Sequence, residues 1–351
     1  MNAELNSNHQ AQKILSPMSS LKLHKMQPVF IFLLFLSGVM QLSAQEKQEL
    51  FFADPTIRVE NGRYYLTGTS GHRNGPAGFS ILESKDLKTW APPAGTSGSS
   101  RMILTKGDQT FGSRGFWAPQ IFRAGDTCYL TYTASEQTVL ARSGSLLGPY
   151  RQEEVGPIDG SEKNIDSFLF KDDDGRYYLY HVRFNNGNFL WVAAFDLEKG
   201  KIRPETLTKC FDQTEPWEVT PNYDSAPIME GPTVIKLKEK YYLFYSANHF
   251  MNIDYSVGYA VSDSPYGPWI KQDNSPILHR SVVGENGSGH GDLFEGLDRQ
   301  LYYVYHVHFS PDQVSPRRTR IVPVTKEWDA EKNLYRFQVK GSEVIVPVLA
   351  E

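Results

Sequence analysis

Cysteine is nearly missing from this chain: Cys128 and Cys210 are all it has, too few for a disulfide framework or a four-ligand zinc site. Cys128 lies in an apolar strand pattern and reads as a buried thiol. An excess of one charge is missing too. The 36 lysines and arginines against 40 aspartates and glutamates give a formal net charge of −4, with no broad basic field to hold nucleic acid or anionic lipid. After Ala44 there is little amphipathic helical periodicity, which argues against a helical bundle or helical solenoid. The apolar run Val29–Leu36 is short of the roughly 20 residues that a bilayer-spanning helix needs. It follows Lys22 and Lys25 and precedes Leu42-Ser43-Ala44, the order of an export signal and its cleavage site. Residues 1–44 are therefore read as a removed signal with an over-extended start before Met18, a retained anchor being the alternative. Residues 45–351 are read as a periplasmic or secreted domain that makes no membrane contact after signal removal; no cysteine follows the run closely enough for lipid attachment.

What is abundant is aromatic strand. A Tyr-Tyr-Leu-like pattern recurs as Arg63–Thr67, Thr127–Thr131, Arg176–Tyr180, Lys240–Phe244 and Leu301–Tyr305. Its register tyrosines Tyr65, Tyr129, Tyr178, Tyr242 and Tyr303 recur at a spacing of about 50 to 60 residues, in the range of propeller blades. Turn signals such as Asn61-Gly62, Gly125-Asp126 and Asp174-Gly175 precede most copies, so an earlier strand enters by a tight hairpin. A later bend recurs as Leu87–Trp90, Leu147–Tyr150 and Tyr266–Trp269. Each unit is a small antiparallel meander, and five of them predict an all-β, five-bladed propeller around a central channel. A β-sandwich is the alternative, but its strands would not recur in copies.

The residue opening the innermost strand of each copy is expected to face that channel: Asp54, Trp117, Asp166, Glu230 and His290. Three acids in one space raise one another's pKa, a costly arrangement for a structural role. It suits divided labour instead, in which one carboxylate activates water, one acid protonates a leaving oxygen and a third tunes the pair. Inverting hydrolysis of a glycosidic bond uses two such groups roughly 6.5 to 9.5 Å apart.

The motifs Ala53-Asp54-Pro55, Trp117-Ala118-Pro119, Ile165-Asp166-Ser167 and Glu230-Gly231-Pro232, in this order and spacing, resemble glycoside hydrolase family 43 from Phe51 to about Pro347. The resemblance implies a five-bladed propeller and single-displacement hydrolysis with inversion. It implies Asp54 as general base, Glu230 as general acid, and Asp166 as the residue that raises the acid's pKa and orients it. It also implies a substrate-contacting arginine in Pro316–Arg320, where Arg318 aligns best and Arg317 is the rival. No cofactor is expected to be required. The resemblance places a histidine, His290 in Gly289-His290-Gly291, near a structural calcium in the channel, although one imidazole nitrogen is a poor match for a cation that prefers oxygen.

Trp117, with Phe116 beside it, is read as a sugar platform, core packing being the bland alternative. Trp217, Phe184 and Phe250 are equally readable as substrate wall or exposed packing. Asp172-Asp173-Asp174-Gly175 lacks the alternating ligands of a calcium loop and reads as a hairpin turn. His306 and His308 read as structural, with no third ligand near them in sequence. The expected partner is an oligosaccharide or polysaccharide, and the expected activity is that of an α-L-arabinofuranosidase on plant cell-wall side chains. A β-xylosidase comes next, and an endo-arabinanase or a galactose-type glycosidase remains open. A propeller of a related inverting or transferring family, with the same acids and a different donor, is a further reading. A non-catalytic sugar-binding propeller is the reading from another class, but its inner positions would repeat one chemistry, and these do not.

Overall fold

A computed structural model describes residues 48–70, 77–96, 100–107 and 109–350. The export-signal reading lies outside them. The chain forms five sheets whose strands follow one another in sequence. The innermost strands are Phe52–Glu60, Trp117–Ala124, Asn164–Lys171, Met229–Leu237 and Gly289–Glu295. Each packs against the next and the last against the first, which makes the ring of the five-bladed propeller. Each pairs antiparallel with a second strand: Arg63–Ser70, Thr127–Ala134, Tyr177–Phe184, Lys240–Ala247 and Leu301–Val307. Third strands follow at Gly78–Ser84, Gln137–Ser143, Asn188–Asp196, Ser256–Ser262 and Arg318–Asp329.

Blades stack face to face, so both faces of each sheet must be apolar, which explains why strands such as Tyr241–Ala247 are buried without alternation. The core divides accordingly into five clusters, one at each seam. Phe79, Ile121 and Tyr132 join the first and second blades, and Leu140, Leu169 and Phe195 the second and third. Tyr180, Met229 and Tyr245 join the third and fourth, and Tyr259, Tyr303 and Phe337 the fourth and fifth. Leu66, Trp90, Val304 and Ile321 seal the fifth against the first. Closure is reinforced by Val348–Leu349, which pairs parallel with Thr89–Ala91 of the first blade. Arg101–Thr105 add a further strand beside Gly78–Ser84. Cys128 and Cys210 are buried, unbridged thiols, and Asp172–Gly175 is the hairpin turn its sequence indicates.

Every inner strand carries an irregularity near its start, between residues paired to the second strand: Ala53/Thr56, Trp117/Gln120, Ile165/Phe168, Glu230/Thr233 and Gly289/Asp292. One residue in each irregularity has positive φ: Asp54 (46°), Ala118 (45°), Asp166 (53°), Gly231 (60°) and His290 (40°). This corrects the register of the repeat. The true equivalents of Asp54 are Ala118 and Gly231, so Trp117 and Glu230 sit one residue earlier than the repeat pattern places them. In the fifth blade the pairing likewise makes Tyr302 the counterpart of Tyr65, one residue before the expected Tyr303.

Trp90 is fully buried in the closing seam, and its indole N–H donates to the Leu87 carbonyl at 2.9 Å. Trp90→Ala is expected to destabilise the domain by about 3–5 kcal/mol, read from the midpoint of chemical denaturation.

Candidate active site

The five positive-φ residues and the two after each of them line a central cavity of about 30 Å³, enough for a water or two. Into it the bulges turn three different side chains: Asp54, Asp166 and His290. The His290 Nδ1 lies 3.3 Å from Asp54 Oδ1 and 3.7 Å from Asp166 Oδ2, so these three meet at the axis. Glu230 is buried on the preceding position of the fourth blade, where the Tyr255 hydroxyl donates to Oε1 at 2.8 Å and the Asn188 side chain favours the charged carboxylate. Gly231 after it has no alternative. Its φ is left-handed, and a Cβ there would come within 2.7 Å of the His290 ring.

The bulges also turn each backbone N–H toward the preceding blade. Ala118 N–H donates to Thr69 Oγ1 (2.9 Å), Asp166 N–H to Thr133 Oγ1 (3.0 Å), His290 N–H to Ser246 Oγ (2.8 Å) and Asp54 N–H to His306 Nδ1 (3.1 Å). Among the described residues, Gly231 N–H has no such hydroxyl or imidazole partner and acts instead on the Asp166 carboxylate, whose charged form it favours. Thr69 serves twice, donating its own proton to Asp54 Oδ2 at 2.7 Å.

The three acids are all buried, but their neighbours differ. Burial pushes Asp54 up, yet Arg317, His290, His306 and the Thr69 hydroxyl outweigh it and hold the carboxyl well below the ordinary range. Arg317 Nη1 donates to Asp54 Oδ1 at 2.9 Å. Asp166 is pushed well up, by burial first and then by the charges of Glu230 and Asp54, with only the Gly231 N–H and the more distant Arg317 opposing. Glu230 is pushed up to about 7, by burial and by Asp54, against the hydrogen bonds from Tyr255 and Asn188. Burial, with Arg317 nearby, keeps the His290 and His306 imidazoles uncharged at neutral pH. The arrangement therefore sets a bare carboxylate beside a proton-holding pair of acids, the separation that acid–base catalysis needs.

Several residues stand elsewhere than the sequence indicates. Arg318 does not reach the centre. It shares Glu285 with Arg320, because residues two apart lie on one face of a strand, and Arg317 on the other face takes the contact with Asp54. Phe116 is not a sugar platform. It is 8% exposed and stacks on Tyr132 with ring centroids 5.9 Å apart. Trp117 is 39% exposed. Trp217 packs against Tyr245, while Phe250 lies under the Arg317 guanidinium at 4.8 Å and Phe184 is exposed. His308 Nε2 lies 2.9 Å from the Phe250 carbonyl. His306, read as structural, is a site residue, and Tyr255, Thr69 and Asn188 carry no motif that marks them. Alternation from His308 and the tight packing of a polar residue into an apolar strand are the only signals His306 offers.

For calcium, the described residues contain no group of three or more His, Cys, Asp or Glu able to hold an ion. The Asp292 carboxylate, which also lines the cavity, is engaged by the hydroxyls of Thr56 (2.7 Å) and Thr233 (3.2 Å). Beyond His290 an ion would depend on water for nearly all of its shell, so the donor set fits calcium poorly.

Arg317→Met is expected to lower kcat/KM on the order of 100-fold with little change in melting temperature, because it strips the one cation from Asp54. Arg318→Met is expected to leave kcat/KM within about threefold, since its partners are Glu285 and the His308 carbonyl. Steady-state kinetics on both variants checks the pair.

Residues 48–332 match the sequence family Glycosyl hydrolases family 43. Among solved structures the chain is similar to an endo-1,4-beta-xylanase from Bacteroides thetaiotaomicron, at 37% identity and TM-score 0.78, covering 87% of this chain and 99% of that one. Among characterised sequences it is similar to a beta-D-galactofuranosidase of Aspergillus niger, 26% identical over 78% of each chain. A xylosidase/arabinosidase of Bacteroides ovatus is 22% identical over 83% of this chain and 96% of its own. With the acids, the propeller and the family's match over most of its length, the chain belongs to glycoside hydrolase family 43 and is an inverting O-glycosidase.

Proposed function

We propose that this chain removes pentose units from plant cell-wall polysaccharide side chains and oligosaccharides, as an α-L-arabinofuranosidase. The observation that carries the mechanism is the unequal treatment of three buried acids around one cavity: Asp54 held ionised, Asp166 and Glu230 held up. Glu230 donates its proton to the glycosidic oxygen as the bond to C1 breaks. Asp54 takes a proton from the water that attacks C1 from the opposite face, and the sugar leaves with inverted configuration. Burial and the charge of Asp54 keep Glu230 protonated; Asp166, itself held up by those neighbouring charges, is assigned to orient it, and Arg317 aims and ionises Asp54. Trp117, exposed beside the cavity, offers its indole face to the C–H surface of a sugar.

Short or terminal substrates are part of the proposal, supported by a rigid loop pair leading to Tyr255, the donor to Glu230: segment 217–222 is clamped to 248–254 by Thr220 N–H donating to Asn248 Oδ1 (2.9 Å), Asn248 Nδ2 to the Trp217 carbonyl (2.8 Å) and Asn252 Nδ2 to Thr220 Oγ1 (3.0 Å). β-Xylosidase activity is the second reading, favoured by the xylose-directed names among the similar proteins. Export to the periplasm or medium is part of the proposal, supported by the basic and apolar order of residues 22–44.

Nitrophenyl glycosides of α-L-arabinofuranose, β-D-xylose and β-D-galactofuranose are the test of specificity, and turnover of the arabinofuranoside at less than a tenth of the xyloside rate would replace the first reading with the second. Asp54→Asn is expected to lose on the order of 10³-fold or more in kcat, and proton NMR of the wild-type product is expected to show the inverted anomer first. Because the Glu230 pKa is raised, the competent acid is the form present below about pH 7, and kcat/KM is expected to fall as pH rises through that value. A profile flat to pH 9 would remove Glu230 as the acid.

A further inference from the structure

The hydrogen bonds that bulge N–H groups make to the preceding blade are not uniform, and the exception sits next to the acid. The acceptor is always the side chain that pairs, on the second strand, with the residue just before the bulge. That position is Thr69 opposite Ala53, Thr133 opposite Trp117, Ser246 opposite Glu230 and His306 opposite Gly289. All four are polar, and all four accept the N–H of the next bulge around the ring. In the third blade the equivalent position, opposite Ile165, is Val182. Val182 is fully buried, in one apolar cluster with Ile165 and Met229, and has no acceptor to offer. The N–H it would have taken belongs to Gly231, the residue after Glu230, and with no acceptor at position 182 it is left to the Asp166 carboxylate, whose charged form it favours.

We propose that Val182 is a positioning residue: by withholding a hydroxyl at the one seam between the third and fourth blades, it leaves the Gly231 N–H free to tether the Asp166 carboxylate beside Glu230. A threonine there is nearly the same size, and by the pattern of the other seams its Oγ1 would take the N–H. Asp166 would then lose its only backbone donor and turn from the acid it supports. Val182 touches no reacting atom and acts through Asp166. The proposal rests on Glu230 being the general acid.

The test compares two substrates in each variant: the nitrophenyl glycoside that the enzyme cleaves best, whose leaving group departs with little protonation, and the corresponding disaccharide, which needs the acid fully. In Val182→Thr and Val182→Ser the ratio of nitrophenyl to disaccharide kcat/KM is expected to rise on the order of tenfold, part of the 10²- to 10⁴-fold that acid catalysis supplies. In Val182→Ile, which adds no hydroxyl, the ratio stays at the wild-type value. A ratio is insensitive to the fraction of enzyme folded, so a purely structural effect lowers both rates and leaves it unchanged. Glu230→Gln provides the reference and is expected to raise the ratio on the order of 100-fold or more. If the ratio rises in Glu230→Gln but stays within twofold of wild type in both hydroxyl variants, the role of Val182 is overturned alone. If it is flat in Glu230→Gln, the acid assignment fails and the role of Val182 with it.

Discussion

A peptide N–H buried at the centre of a protein must find an acceptor, at a penalty of about 1–3 kcal/mol if it does not. At the inner end of every blade the strand bends through a left-handed residue, which aims that residue's side chain at the axis and its N–H at the neighbouring blade. For residues other than glycine this conformation costs about 1–3 kcal/mol and persists only where its surroundings over-determine it. Here the surroundings are the hydroxyls and imidazole of Thr69, Thr133, Ser246 and His306. They hold the blades to one another and at the same time become the walls of the site. Thr69 shows how close the two tasks are, since one hydroxyl accepts from the second blade and donates to Asp54.

Given this frame, the chemistry follows from a single asymmetry of charge. Burial acts on Asp54, Asp166 and Glu230 in the same direction, so it cannot by itself assign different protonation states. Arg317 can. It forms its ion pair with Asp54 alone and leaves the other two to face the charge of Asp54. The arginine is placed by strand alternation: Arg318 and Arg320 are spent on Glu285, which fixes the strand's rotation, and Arg317 is left facing inward. Phe250 below the guanidinium restricts it further.

The blade count, the antiparallel meander and the identity of the three acids were legible in the sequence because repetition averages over local ambiguity: a Tyr-Tyr-Leu strand means little once and much in five copies. What repetition could not supply was register to the single residue. The bulge shifts pairing by one, so Trp117 and Glu230 fell into the column of Asp54 although Ala118 and Gly231 occupy it. The alignment that favoured Arg318 over Arg317 was also off by one residue, and in a strand a one-residue slip moves a side chain to the opposite face. Tyr255 and His306 were illegible for another reason. Tyr255 reaches Glu230 from the loop before the third strand of the same blade and His306 reaches Asp54 from the fifth blade across the closing seam, and nothing local in their segments distinguishes them from core residues.

The displaced register of Glu230 has a physical consequence of its own. Were Glu230 at the bulge, as Asp54 and Asp166 are, its carboxylate would enter the small central cavity with theirs, and three acids would compete for the same few donors. One position earlier it is set off from that cavity, received by Tyr255 and Asn188, while the glycine after it lets His290 pack into the vacated place. Base and acid thus take different positions relative to the bulge, and only the base lines the central cavity. A repeating fold supplies the common frame, and the reaction depends on the positions where a blade departs from it.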